Sequence, residues 1–139
     1  MKANIFFPLV TIALLTVGVA RGALCAPDPE QTSGGIRYAC AGVSEESRTD
    51  PRWSAYPVKL VFAAADGGFL GDVAVTVAGS GGGEIFSAHC LSPWLLVDLP
   101  PGKYEVQAVA RQSYTQTFPL AVGPGRQKER TTRFAEITD

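Results

Sequence analysis

The sequence predicts an all-β domain, a sandwich of two sheets built from about seven antiparallel strands, with one short helix near its start. Three observations carry this. Apolar residues recur at every second position through most of the chain after residue 57. Clusters of Gly, Pro and Asp-Gly separate these runs at short, regular spacing. Only one segment carries helix-start chemistry. At 139 residues the chain holds one ordinary domain, and 15 Gly and 10 Pro in a chain 46% apolar and 18% charged argue against both disorder and a helical bundle.

From the N-terminus, Lys2 precedes an almost wholly apolar run from Ile5 to Ala20, and Gly18, Ala20 and Gly22 offer small residues for cleavage. This is the pattern of a signal peptide over residues 1–22, because the run falls short of the roughly 20 apolar residues of a spanning helix. No stable membrane anchor is expected after cleavage. Cys25 follows closely, but Leu24 stands where a lipoprotein signal places a small residue. Cleavage removes Lys2 and Arg21 and no acid, so the formal charge of -1 becomes -3. Neither value draws the chain toward nucleic acid.

Residues 23–35, rich in Pro, Gly and small polar residues with no apolar period, are expected to be a flexible lead-in to a domain spanning 36–139. From Ser44 to Trp53, an N-cap serine followed by Glu45 and Glu46 suits one short helical stretch that Pro51 ends or kinks. Strands follow. Val58, Leu60, Phe62 and Ala64 share one face of a first strand, and Val73, Val75 and Val77 share one face of a second. Asp66-Gly67-Gly68 turns the chain after the first, and Gly79 to Gly83 separates the second from Glu84–Cys90. An apolar run from Trp94 to Leu99 leads through Pro100-Pro101-Gly102 into Lys103–Arg111, where Tyr104, Val106, Ala108 and Ala110 alternate with polar residues. Ser113–Val122 repeats the pattern, and Gly123-Pro124-Gly125 turns into a last strand, Lys128–Phe134.

Two stretches together resemble a carboxypeptidase regulatory-like domain. Val58 to Val77 is similar to its opening half, with Asp66-Gly67-Gly68 and Leu70-Gly71 between two strands; Trp94 to Val122 is similar to its second half, carrying Leu99-Pro100-Pro101-Gly102-Lys103-Tyr104-Glu105-Val106. In that motif the prolines preset φ, Gly102 permits the turn and Tyr104 re-enters the core. The resemblance implies a single seven-stranded antiparallel Greek-key sandwich, prealbumin-like or Ig-like, without activity of its own. The segment from Gly35 to Arg48 also resembles small stand-alone exported bacterial proteins of this type. The related 5-hydroxyisourate hydrolases need several histidines and a C-terminal Tyr-Arg-Gly-Ser; this chain has one histidine and ends Ala135-Glu136-Ile137-Thr138-Asp139.

Candidate chemistry is sparse. His89 is the sole histidine, and its neighbour Cys90 points to the opposite face of a strand, so the two do not form a base and nucleophile. For the same reason Cys40, His89 and Cys90 make no zinc site. Gly79 to Gly83 lacks a following Lys-Ser/Thr and fits no G-x-G-x-x-G register, and Ser80 lacks the spacing of a nucleophile elbow. Arg126, Lys128, Arg130 and Arg133 form a late basic cluster, interrupted only by Glu129, that suits the solvated edge of a terminal strand, or a phosphate or acidic partner. Trp53 and Trp94 are candidates for stacking on sugar rings, set against simple packing. In an oxidising compartment Cys40 and Cys90 are expected to form a disulfide, with Cys25 the odd thiol.

The resulting expectation is a non-enzymatic module of the periplasm or the secreted fraction, needing no cofactor or metal, with a structural or protein-interaction role in the envelope. A small-ligand or carbohydrate-binding module is the alternative. The partner is then an envelope protein or a glycan.

Overall fold

Period-two alternation is realised as nine strands in two sheets; the computed structural model describes residues 27–138. The expected signal peptide over 1–22 and Cys25 lie outside the described residues. The strands are β1 (Glu30–Ser33), β2 (Ile36–Ala41), β3 (Val58–Ala64), β4 (Val73–Ala78), β5 (Glu84–Cys90), β6 (Trp94–Val97), β7 (Gly102–Ala110), β8 (Tyr114–Val122) and β9 (Lys128–Phe134). One sheet has the order β1-β2-β6-β3-β9 and the other β5-β4-β7-β8. Between them lies one core, to which the expected alternations contribute Leu60 and Phe62 of β3, Val75 of β4, Val106 of β7 and Leu120 of β8. The protein is all-β, as its periodicity predicts.

Seven strands become nine because β1 and β2 lie where the sequence offers weak alternation or none. β1 falls inside the expected flexible lead-in and is almost wholly exposed; no apolar face announces it. It forms because Gly34 and Gly35, both at positive φ, close a tight turn that pairs Glu30 through Ser33 with Ile36 through Ala39 of β2. The sheet is also not wholly antiparallel. β9 crosses over from β8 in the opposite sheet and pairs with β3 in parallel, Val58 opposite Lys128 through Ala64 opposite Phe134. Periodicity reports which residues face a core, not the direction of the neighbouring strand.

The helix expected from Ser44 divides in two. Ser44 caps α1 (Glu45–Arg48), its side chain accepting from the Ser47 N–H, and Asp50 caps a separate 3-10 turn, Pro51–Ala55, in which proline takes the first position rather than ending a helix. This connection folds over the outer face of the five-stranded sheet. From it Trp53 and Tyr56 pack onto Ala39, Ala41, Val61, Trp94 and Leu96 of the sheet to form a second buried cluster. β3 is therefore covered on both faces, which explains its nearly continuous apolar sequence.

Candidate functional site

The loops at one end of the sandwich gather the chain's exceptions. Among the described residues four large hydrophobics stay exposed, Val43 at 68%, Phe69 at 55%, Leu91 at 75% and Tyr114 at 36%, and all four belong to this end. Val43 follows β2, Phe69 lies between β3 and β4, Leu91 follows β5, and Tyr114 opens β8. Hydrogen bonds and close approaches tie these loops together. The Arg48 guanidinium donates to the carbonyls of Gly42 and Val43 at 3.1 and 3.2 Å and lies 5.7 Å from the centroid of the Phe69 ring. Gly71 presses against the Leu91 carbonyl, and Arg111 donates its backbone N–H to the Asp72 carbonyl at 2.9 Å, joining the β7–β8 turn to the β3–β4 loop.

The same end holds every non-glycine residue at positive φ among those described: Asp72 at 59°, Arg111 at 51° and Gln112 at 63°. Such backbone is strained for L-residues and persists where surrounding structure holds it. Asp72 is held by the Arg111 N–H and by its side chain, whose Oδ1 lies 2.6 Å from Nε2 of His89. Both partners are about half exposed. The pair is built from adjacent strands, since Val73 and Ala74 stand opposite Cys90 and His89. It orders the loops, and it lies on the solvent face, opposite the buried Cys90.

Cys40 of β2 and Cys90 of β5 form the expected disulfide, with an S–S distance of 2.05 Å and Cα atoms 5.4 Å apart. It joins the two sheets across their margin, where Ser33 Oγ also donates to the Ser87 carbonyl at 2.7 Å. Cys90 is fully buried while His89 faces outward, the separation that strand alternation demands.

The tryptophans are a correction. Trp53 and Trp94 are 4% and 7% exposed, both in the second cluster, so neither presents a ring face for stacking on a sugar. Trp53 Nε1 donates to the Ser47 carbonyl at 2.6 Å, the Arg52 guanidinium covers its ring at 4.4 Å, and Lys59 Nζ lies 3.5 Å from the Trp94 ring centroid. The reason is the roof laid over the five-stranded sheet by α1 and the 3-10 turn, which alternation along one strand does not reveal.

At the opposite end, Pro100, Pro101 and Gly102 carry the chain into β7, and Tyr104 folds back to donate its hydroxyl to the Pro100 carbonyl at 2.5 Å. Burial raises the Tyr104 phenol above its ordinary value. Tyr104 packs against the main core, and with Lys103, Glu105 and the Gly79–Gly82 loop it borders an open cleft of about 300 Å³. The Gly79 and Gly82 backbone N–H groups donate within that loop, to Gly83 and Gly79 respectively, so its geometry is that of a turn. The basic cluster is split by the pleat of β9: Lys128 and Arg130 share one face, and Arg133 lies on the other. Arg130 stacks on Phe118, 4.0 Å from the ring centroid.

No family model matches the chain, and no curated protein matches it. Among the described residues no helix is long and apolar enough to cross a membrane.

Val43, Phe69, Leu91 and Tyr114 escaped the sequence reading because the first three are single apolar residues between strands and Tyr114 stands at the first position of β8. A signal was present in the loop context: Phe69 follows Asp66-Gly67-Gly68, and Leu91 precedes Ser92-Pro93. A large apolar residue inside a turn-rich stretch has no regular element to bury it.

Proposed function

We propose that this chain is a non-enzymatic module that binds another protein through the loop end of its sandwich, and that it does so outside the cytoplasm, in the periplasm or after secretion. The observation that carries the reading is the convergence of Val43, Phe69, Leu91 and Tyr114 on one end, beside three strained residues. Single exposed hydrophobics are ordinary on a protein surface, whereas a cluster on loops held in place by a rigid scaffold is the usual composition of a binding surface. The Cys40–Cys90 bridge is compatible with an oxidising compartment. Against catalysis, the ring of His89 is engaged with the Asp72 carboxylate rather than with a hydroxyl or a thiol.

The finer fold assignment belongs to the same proposal. Tyr104 donating to the carbonyl four residues before it, within Leu99-Pro100-Pro101-Gly102-Lys103-Tyr104, resembles the tyrosine corner of Greek-key sandwiches. It supports a Greek-key, prealbumin-like arrangement related to carboxypeptidase regulatory-like domains, extended here by the β1–β2 hairpin.

A photocrosslinking amino acid placed at position 69 or 91 tests the binding surface in the exported protein in its native envelope. The expected result is a defined protein adduct from both positions, lost in a Phe69→Ser/Leu91→Ser double variant captured through a crosslinker at position 43. Equal adducts from a crosslinker at Thr117, on the outer face of the other sheet, would overturn the assignment, as would none from any position in the loop end.

A further inference from the structure

A second surface lies along β9, which starts at the end of the sandwich opposite the exposed hydrophobics and runs toward them, with Arg133 opposite the Ala63 that bridges Phe69. Lys128 pairs with Val58 in parallel and donates its N–H to the Pro57 carbonyl at 2.7 Å. In a parallel ladder the residue that donates toward its neighbour also accepts from it, so Lys128, Arg130 and Thr132 turn both backbone groups to β3. The alternate residues, Glu129, Thr131 and Arg133, turn theirs to the other side. β9 is the end strand of its sheet, and among the described residues no strand lies beyond it.

Charge is segregated to this edge. Residues 126–133 hold Arg126, Lys128, Arg130 and Arg133 against Glu129 alone, while the rest of the described chain carries six cations and eleven acids. The one acid is already matched, its Oε2 3.9 Å from Lys59 Nζ. No carboxylate of the described residues forms an ion pair with Arg126, Lys128, Arg130 or Arg133, all of which are exposed.

We propose that the open edge of β9 accepts an extended acidic peptide as an added strand. Backbone groups of Glu129, Thr131 and Arg133 supply the ladder, and the four cations select the charge of the incoming segment. The same cations repel a second copy of this edge, so the strand stays open to an acidic partner while resisting self-pairing.

The test uses the folded protein and three synthetic eight-residue peptides. One alternates Glu with Val, one alternates Lys with Val, and one has the acidic sequence with its two central valines replaced by Pro. Binding is read by fluorescence anisotropy and by amide hydrogen exchange. The first peptide is expected to bind and to protect the amides of residues 129, 131 and 133, with at least tenfold weaker binding for the other two. Thr131→Pro retains every charge and removes only an outward donor, so it should weaken binding about tenfold. A triple variant, Arg126→Gln, Lys128→Gln and Arg133→Gln, leaves the Arg130–Phe118 contact in place and should do the same. Equal binding of the proline-interrupted peptide would reduce the effect to charge attraction and overturn strand addition. Absence of binding by the first peptide, or concentration-dependent self-association abolished by Thr131→Pro, would overturn it too.

Discussion

A β-carbon at Gly71 would collide with the carbonyl oxygen of Leu91, a backbone atom that moves only if the β5–β6 loop moves. Overpacking of this kind costs about 1–3 kcal/mol, so Gly71→Ala should lower stability by that amount in urea denaturation and displace the exposed Leu91. A change within about 0.5 kcal/mol would show that the loop yields freely. Tyr56 gives a second residue-scale test. Burial first, and then its hydroxyl donating at 2.6 Å to a Glu30 carboxylate, push its phenol up to about 12. The folded value lies above the unfolded 10.0, so this contribution is whole below pH 10 and is lost as pH rises toward 12. Thermal melts of the wild type and Tyr56→Phe should differ most below pH 10 and converge as pH approaches 12. A constant difference across that window would mean that the phenol does not titrate with folding.

At the scale of elements, the disulfide is the strongest single constraint on how the sheets meet. It spans a sequence separation of 50 and closes a loop whose unfolded-chain entropy corresponds to about 4 kcal/mol. The expected outcome for Cys40→Ala/Cys90→Ala is a loss of that order. Hydrogen exchange should rise most in β1 and β2, whose remaining tie to the four-stranded sheet at that margin includes Ser33 with Ser87. Uniform exchange changes across all nine strands would show that the bond stabilises the fold without anchoring this hairpin. The α1 segment illustrates what local chemistry announces well: Ser44, Glu45 and Glu46 are a helix start in any context, and the helix begins there. β1 illustrates the reverse, because Glu30-Gln31-Thr32-Ser33 has no apolar face and takes its strand form from pairing across Gly34-Gly35.

Across the whole molecule, two apolar clusters divide the work that the sequence assigns to one. Trp53 and Trp94 both belong to the outer cluster, Trp53 contributed by the β2–β3 connection and Trp94 by the sheet that it covers. Tryptophan emission is therefore expected to be blue-shifted, poorly quenched by iodide and unchanged by titration with glycans or peptidoglycan fragments, until unfolding exposes both rings. A glycan-dependent shift in the folded protein would show that the roof opens and would return the tryptophans to the list of ligand contacts. Lys128 opens β9 at the end of the sandwich opposite the exposed hydrophobics, so Lys128→Gln should leave binding by the loop end unchanged, whereas Arg133, opposite the Ala63 that bridges Phe69, lies close enough to couple to it.

Composition and period-two alternation determined the all-β class, the inward faces of β3, β4, β7 and β8, and the residues that turn the chain, because these depend on neighbours within a few positions. The expected signal peptide and the placement of Cys40 and Cys90 pointed to the pairing that the structure contains. Tertiary structure decided what depends on distant segments. It gave β9 a parallel partner in β3, buried both tryptophans in the cluster between the β2–β3 connection and the outer face of the five-stranded sheet, and made a strand of Glu30–Ser33. It also brought residues 43, 69, 91 and 114 to one end of the sandwich. The physical reason is common to all four. Alternation says that a side chain leaves water, but which surface receives it, or whether a loop residue is left in water beside others, is set only when the sheets close on one another.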